Sequence, residues 1–235
     1  MDDIHACGPT LALKKLSDMI KARLSVKHAN IFEYGSKARY QHLRRERIMD
    51  EAGCYIKPNP KYVEAAAELL GLVDSKPVRT PLAAGDRADS ELESPKLDGE
   101  QHSIYRRVVG ALLCLTYDRG DAAYAVRLLA KDLCSPNLDS WRRMKRVVRY
   151  LYHTRDLATF YPYGDGHPLK DLIVYTDSDW AGDKVTRKST SCAVLKLGAM
   201  TLTLICRGQA VRAQSSAEAE VYASVMGIKE AIHVQ

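Results

Sequence analysis

The sequence predicts an α/β chain, and three observations carry that expectation. Apolar residues recur at helical spacing between 104 and 153. From 172 to 206 the pattern changes to apolar, β-rich runs broken by short turns, which reads as an antiparallel meander. A helix start at Ser215 then follows the last of those runs, so the meander is closed by a helix.

The elements follow in order. Gly8-Pro9-Thr10 opens a helix, with Leu13, Leu16, Ile20 and Leu24 along one side. The stretch 27–48 mixes Tyr34, Tyr40, Leu43 and Ile48 with bases that include Lys37, Arg39, Arg44, Arg45 and Arg47, and is expected to be a strand or hairpin. Residues 55–57 read as a strand, and 61–70 as a helix stopped by Gly71. The stretch 83–103 is acidic and contains Pro95, which predicts a solvated linker and a domain boundary. Helices are expected over 104–117, 121–133 and 140–153. The last has Trp141, Met144, Val148 and Leu151 on one side and Arg142, Arg143, Lys145, Arg146 and Arg149 on the far side. Tyr161–His167 reads as a turn region. Strands are expected over 172–177, 191–197 and 200–206. Ser215-Ser216-Ala217-Glu218 fits a capping box, followed by an apolar stripe of Val221, Val225, Ile228 and Ile232.

Composition excludes several classes. Among 235 residues, 46% are hydrophobic and 27% charged, which argues for a globular chain and against wholesale disorder. The 35 Lys and Arg against 29 Asp and Glu give a net charge of +6, which permits an anionic partner without demanding one. No apolar run is long enough to span a bilayer. The acidic start has no apolar core of a secretion signal, and the six Cys include no C-x-x-C pair. The reading is an intracellular protein, cytoplasmic or nuclear, with reduced thiols and no membrane partner.

Asp177 is the most informative residue. It ends an apolar strand and is followed by Ser178-Asp179-Trp180-Ala181-Gly182-Asp183. A carboxylate held at the end of a rigid strand suits a metal ion; equally, Asp177 and Asp179 can cap the loop through local hydrogen bonds. Glu220 is the natural second carboxylate. Glu218 is expected to serve the helix cap, whereas Glu220 faces elsewhere; its alternative role is to complement the helix dipole from the solvent side.

The pieces around these acids resemble the ribonuclease H domain of copia-type LTR retrotransposon Pol polyproteins. They are Tyr175-Thr176-Asp177-Ser178-Asp179-Trp180-Ala181-Gly182-Asp183, Arg187-Lys188-Ser189-Thr190-Ser191, and Ser215-Ser216-Ala217-Glu218-Ala219-Glu220. Tyr105-Arg106-Arg107-Val108-Val109-Gly110-Ala111-Leu112 and Trp141–Leu151 resemble the family's segment between polymerase and nuclease. Lys76-Pro77-Val78-Arg79-Thr80-Pro81-Leu82 resembles the end of its reverse transcriptase region. Met1-Asp2-Asp3-Ile4 resembles the tail of the polymerase Tyr-x-Asp-Asp motif.

The resemblance implies four parts: a reverse transcriptase remnant over 1–82, the linker over 83–103, a helical connection over 104–160, and the N-terminal half of a ribonuclease H-like domain over 161–235. It implies RNA-directed DNA synthesis and Mg²⁺-dependent hydrolysis of RNA in RNA–DNA hybrids as the lineage's activities. Asp177 and Glu220 would hold Mg²⁺, with Asp179, Asp2 and Asp3 as further catalytic acids. Arg142, Arg143, Lys145, Arg146 and Arg149 would contact nucleic acid, either a hybrid or a template–primer duplex. Two-metal hydrolysis needs more carboxylates than these two ligands. The chain is therefore expected to be an inactive fragment that needs the missing parts of Pol. Its first meander strand would be an unpaired edge. The alternatives are a non-catalytic nucleic-acid-binding module and a decayed transposon relic.

Overall fold

A computed structural model describes residues 5–26, 30–33, 35–83, 94–163 and 171–234. Asp2 and Asp3, and residues 84–93 of the acidic stretch 83–103, lie outside those residues. The chain is mixed α/β.

Helix α1 (Thr10–Lys21) buries none of its residues, and Leu11, Leu16 and Met19 on it are exposed. Strands β1 (Ala38–His42) and β2 (Arg45–Met49) form the expected hairpin. Its two-residue turn, Leu43-Arg44, has φ of 50° and 61°. Positive φ at both central positions matches the twist of the flanking strands, although neither residue is one that favours it. Strand β3 (Gly53–Lys57) follows, then helix α2 (Lys61–Leu69). Gly71 takes a φ of 63° just past α2, as its position predicts.

Helix α3 runs Gly99–Leu115, so it starts inside the stretch predicted as linker. Asp98 caps it by accepting from the Gln101 amide at 2.8 Å. The chain before it is also tied down. Leu97 N donates to Pro136 O and Leu138 N to Pro95 O, at 3.1 and 2.9 Å. The acidity of this stretch hid a helix N-cap, a role for which Asp is well suited.

After a short 3₁₀ turn (Gly120–Ala122) come helices α4 (Ala123–Lys131) and α5 (Leu138–His153). Asn137 caps α5 with its side-chain oxygen on the amides of Asp139 and Ser140, and the Ser140 hydroxyl answers it. One apolar core joins α2 to α3, α4 and α5, with Ala67, Val109, Leu112, Val126, Val148 and Leu151 almost wholly buried. That core crosses the expected boundary, so 61–72 and 99–153 do not form separate cores.

Strand β4 (Thr159–Pro162) takes in the first two residues of the turn region expected at 161–167, of which 164–167 lie outside the described residues, and completes the first sheet, in the order β1-β2-β3-β4. Phe160 stacks on Tyr55 with ring centroids 4.6 Å apart. Gly53 permits this approach, because a Cβ there would overlap the Tyr161 carbonyl and the Phe160 ring. Pro162 is tolerated at the end of an edge strand.

The second sheet is the expected meander, β5 (Leu172–Asp179), β6 (Thr190–Leu197) and β7 (Met200–Gly208), each strand pairing antiparallel with the next. Among the described residues β5 is an edge, paired with β6 alone. Helix α6 (Ser216–Ile232) lies on one face of this sheet. It meets the sheet through Ala219, Ala223 and Gly227, all buried. The stripe expected to be its buried side, Val221, Val225, Ile228 and Ile232, is exposed instead. The small residues decide this, because they allow the helix backbone closest to the strands. A Cβ on Gly227 would come within 2.6 Å of Thr176 Cγ2 and 2.8 Å of Val174 Cγ1.

Candidate functional site

The end of β5 gathers most of the acids singled out from sequence. Side chains of a strand alternate between faces. Val174 and Thr176 face α6, and the Thr176 hydroxyl is 3.3 Å from that of Ser224. Ser178 shares that face, and both its amide and its hydroxyl donate to Glu220 Oε1, at 3.2 and 2.9 Å. Glu220 therefore reaches the residue next to Asp177. Asp177 itself belongs to the other face, with Ile173 and Tyr175, and is exposed. It stands opposite Cys192 in the register. Asp177 thus leaves the strand on the face opposite the one on which Glu220 of α6 meets Ser178.

Asp179 lies on the Asp177 face and is held by the connecting helices, since Tyr124 Oη of α4 donates to its Oδ2 at 2.9 Å. Gly182 folds back tightly over it, leaving no room for a Cβ beside the carboxylate. Asp183 closes the following turn by accepting from the Val185 and Thr186 amides at 3.0 and 2.9 Å, with Lys131 at 3.4 Å. Burial pushes the Asp183 carboxyl up, but Thr186 and Lys131 together outweigh it and hold it below the usual range. These groups border a cleft of about 320 Å³ between α4 and the strand ends, lined by Arg127, Lys131, Asp179, Asp183, Lys188 and Gln209 among others.

Ser215 caps the helix as its sequence predicts, but the Glu218 carboxylate turns to the Gln214 amide and not to that of Ser215. Ser215 Oγ accepts from the Glu218 amide at 3.1 Å. Glu218 returns to the Gln214 amide at 2.7 Å and accepts from Tyr222 Oη at 3.0 Å, so it is not available to the site.

The cations of α5 do not form a common solvent-facing stripe. Arg143 is 4% exposed and pairs with Asp132 at 3.4 Å. Its position four residues before Val147 and eight before Leu151 puts it on the buried side, a spacing legible in the sequence. Arg146 Nη2 donates to Thr80 Oγ1 at 3.1 Å, and Arg149 Nε and Nη2 donate to Lys76 O at 3.0 and 2.6 Å. The segment from Lys76 to Thr80 thus lies across this face. Lys145 sits over the Trp141 ring. Arg142 alone of the five is exposed, paired with Asp139 at 3.0 Å.

Comparison with known proteins gives this arrangement its context. The Retrovirus-related Pol polyprotein from transposon RE2 of Arabidopsis thaliana is 30% identical over 226 residues, 96% of this chain and 14% of the polyprotein. The corresponding polyprotein from transposon TNT 1-94 of Nicotiana tabacum is 32% identical over 178 residues, 73% of this chain and 13% of its own length. An uncharacterized mitochondrial protein of Arabidopsis thaliana is 31% identical over 186 residues, 76% of this chain and 75% of the relative. The chain belongs to the copia-type retrotransposon Pol polyprotein family. No family model and no solved structure matches it.

The match to RE2 covers nearly the whole Pol-related chain, so both sheets and the helices between them lie within it. The chain spans about one seventh of that polyprotein's length. Among the described residues no three His, Cys, Asp or Glu side chains gather as metal ligands. Mg²⁺ takes near-octahedral oxygen ligation. With Asp177 on the face opposite α6 and Asp179 held by Tyr124, the described residues do not by themselves complete a Mg²⁺ centre. Sequence reasoning missed Tyr124 and Ser178, the groups that occupy Asp179 and Glu220. Nothing in the sequence links Tyr124 to Asp179, whereas Ser178 follows from strand alternation once α6 is placed over Thr176.

Proposed function

We propose that the chain is a segment of a copia-type Pol polyprotein whose lineage activities are RNA-directed DNA synthesis and Mg²⁺-dependent hydrolysis of RNA in RNA–DNA hybrids. In this reading residues 161–235 are the N-terminal half of a ribonuclease H-like domain, 104–160 its helical connection, and 1–82 a reverse transcriptase remnant. The chain supplies a scaffold and does not turn over substrate by itself. The observation that carries the reading is the contact of Glu220 with Ser178. It ties the first turn of α6 to the end of β5, one residue from Asp177, on the meander-plus-helix framework the lineage would need.

The same geometry supports inactivity of the isolated chain, since the acids are gathered at one strand end without converging. Nucleic acid enters this reading as the substrate of the assembled polyprotein. It is not assigned to the α5 stripe, whose arginines are largely engaged by the chain.

Fusion of the chain to the flanking parts of the RE2 polyprotein tests the proposal. Cleavage of the RNA strand of a hybrid is expected to appear in the fusion and to be lost on Asp177→Asn and on Glu220→Gln. A fusion that binds hybrids but cleaves none, with or without those changes, would favour the binding-module reading. A fusion that neither binds nor cleaves would favour the relic.

A further inference from the structure

Cys192 on β6 and Cys206 on β7 are directly opposed in the strand register. Their Sγ atoms are 3.0 Å apart. Both residues are half-buried rather than enclosed in the core. Directly opposed residues of an antiparallel pair have Cα atoms roughly 4.5–5.5 Å apart, inside the window of about 4.4–6.8 Å that a disulfide requires. The strands therefore need not move for the two sulfurs to bond. Of the other cysteines, Cys7, Cys114 and Cys134 are exposed and Cys54 half-buried, and no sulfur–sulfur contact joins any of them among the described residues.

We propose that Cys192 and Cys206 are a modification site, a dithiol that a low-molecular-weight disulfide such as oxidised glutathione converts reversibly to an intramolecular disulfide. The thiolate of one cysteine attacks a sulfur of the oxidised glutathione, forming a mixed disulfide and releasing one glutathione thiolate. The second cysteine, as thiolate, attacks the protein sulfur of that mixed disulfide and releases the second glutathione. Two protein thiols lose two electrons and two protons, and one oxidised glutathione becomes two reduced molecules. The new bond ties β6 to β7 on the sheet face that carries Asp177 and Asp179, which are Cα partners of Cys192 and Thr190. The register alone makes the pair, so the inference does not depend on the chain's role in Pol.

The sequence offers a direct assay. Trypsin cuts after Lys188, Lys196 and Arg207, which places Cys192 in peptide 189–196 and Cys206 in peptide 197–207. The folded chain is treated with oxidised glutathione, remaining thiols are alkylated, and the digest is mapped by mass. The two peptides are expected as one species, two hydrogens lighter than their sum, which separates on reduction with dithiothreitol. Cys206→Ser is expected to leave Cys192 as a stable glutathione adduct, and Cys192→Ser the reverse, whereas Cys54→Ser leaves the linked species unchanged. Wild-type digests in which both cysteines are alkylated, or each carries its own glutathione, while Cys114 and Cys134 have reacted, would overturn the proposal. The wild-type map needs no variant to fold.

Discussion

The approach of α6 to β5 places Glu220, and two helical glycines measure it. Gly227 sits where a Cβ would meet Thr176 Cγ2 at 2.6 Å and Val174 Cγ1 at 2.8 Å. Those are branch atoms of β-branched side chains, fixed at χ1, and cannot swing away. Gly110 in α3 has nothing within 4 Å of its would-be Cβ. Glycine in a helix interior is destabilising by roughly 0.5–1 kcal/mol relative to Ala, so both Ala variants gain that much. Gly110→Ala is expected to keep it, raising stability by about 0.5–1 kcal/mol. Gly227→Ala also overpacks the interface, for which about 1–3 kcal/mol is usual, so it should lose about 0–2.5 kcal/mol net. The two variants are thus expected to differ by about 1–3 kcal/mol, read as opposite shifts of the urea midpoint at equal slope. Equal stabilisation by both would show that α6 does not lie this close to β5, and the placement of Glu220 would fall with it.

Further expectations follow from the core and its ion pairs. Tyr105 is fully buried and its hydroxyl donates to Leu129 O at 2.8 Å, a carbonyl that also accepts from the Asp132 amide, so Tyr105→Phe should destabilise by only about 1 kcal/mol in a urea titration. Asp121 takes two hydrogen bonds from the buried Arg119, at 2.9 and 2.8 Å, and one from Tyr150 at 2.6 Å, so Asp121→Asn should cost about 1–3 kcal/mol, less than a fully enclosed pair because its side chain is 38% exposed. Burial pushes the Asp121 carboxyl up, but Arg119 and Tyr150 outweigh it and hold it below its ordinary value. Its stabilisation is therefore complete above an unfolded-state pKa near 3.9 and fades as pH falls through the lower folded value, so acid unfolding curves of Asp121→Asn should be flatter below about pH 4. Arg149→Ala removes two hydrogen bonds to Lys76 O and should speed tryptic cleavage after Arg79, with an unchanged cleavage rate counting against the strap across α5.

The periodic parts of the molecule were legible in the sequence. The three connecting helices, the meander and the Ser215 cap all rest on local spacing, and local spacing was enough. The failures share a different cause. The exposed stripe of α6 obeys helical spacing as well as a buried one would, and only the small residues Ala219, Ala223 and Gly227 mark the side that meets a sheet. Strand β4 has four residues, and its existence depends on Gly53 and Tyr55, more than a hundred positions earlier. The cations of α5 read as a stripe open to nucleic acid because charge suggests an outward face. Arg143 is instead buried against Asp132, and Arg146 and Arg149 are held by a segment some seventy residues back. At the site, the sequence identified the acids at the end of β5 but not their partners. Which face each carboxylate takes depends on where α6 crosses the sheet, a tertiary fact.

Hybrid hydrolysis by the purified 235-residue chain tests the central claim most directly. A duplex with a labelled RNA strand is incubated with the chain and Mg²⁺, beside the Asp177→Asn variant. The expected result is cleavage at background for both, because the acids of β5 and α6 do not converge on an ion. Robust Mg²⁺-dependent cleavage by the unaltered chain, abolished by Asp177→Asn, would contradict the account.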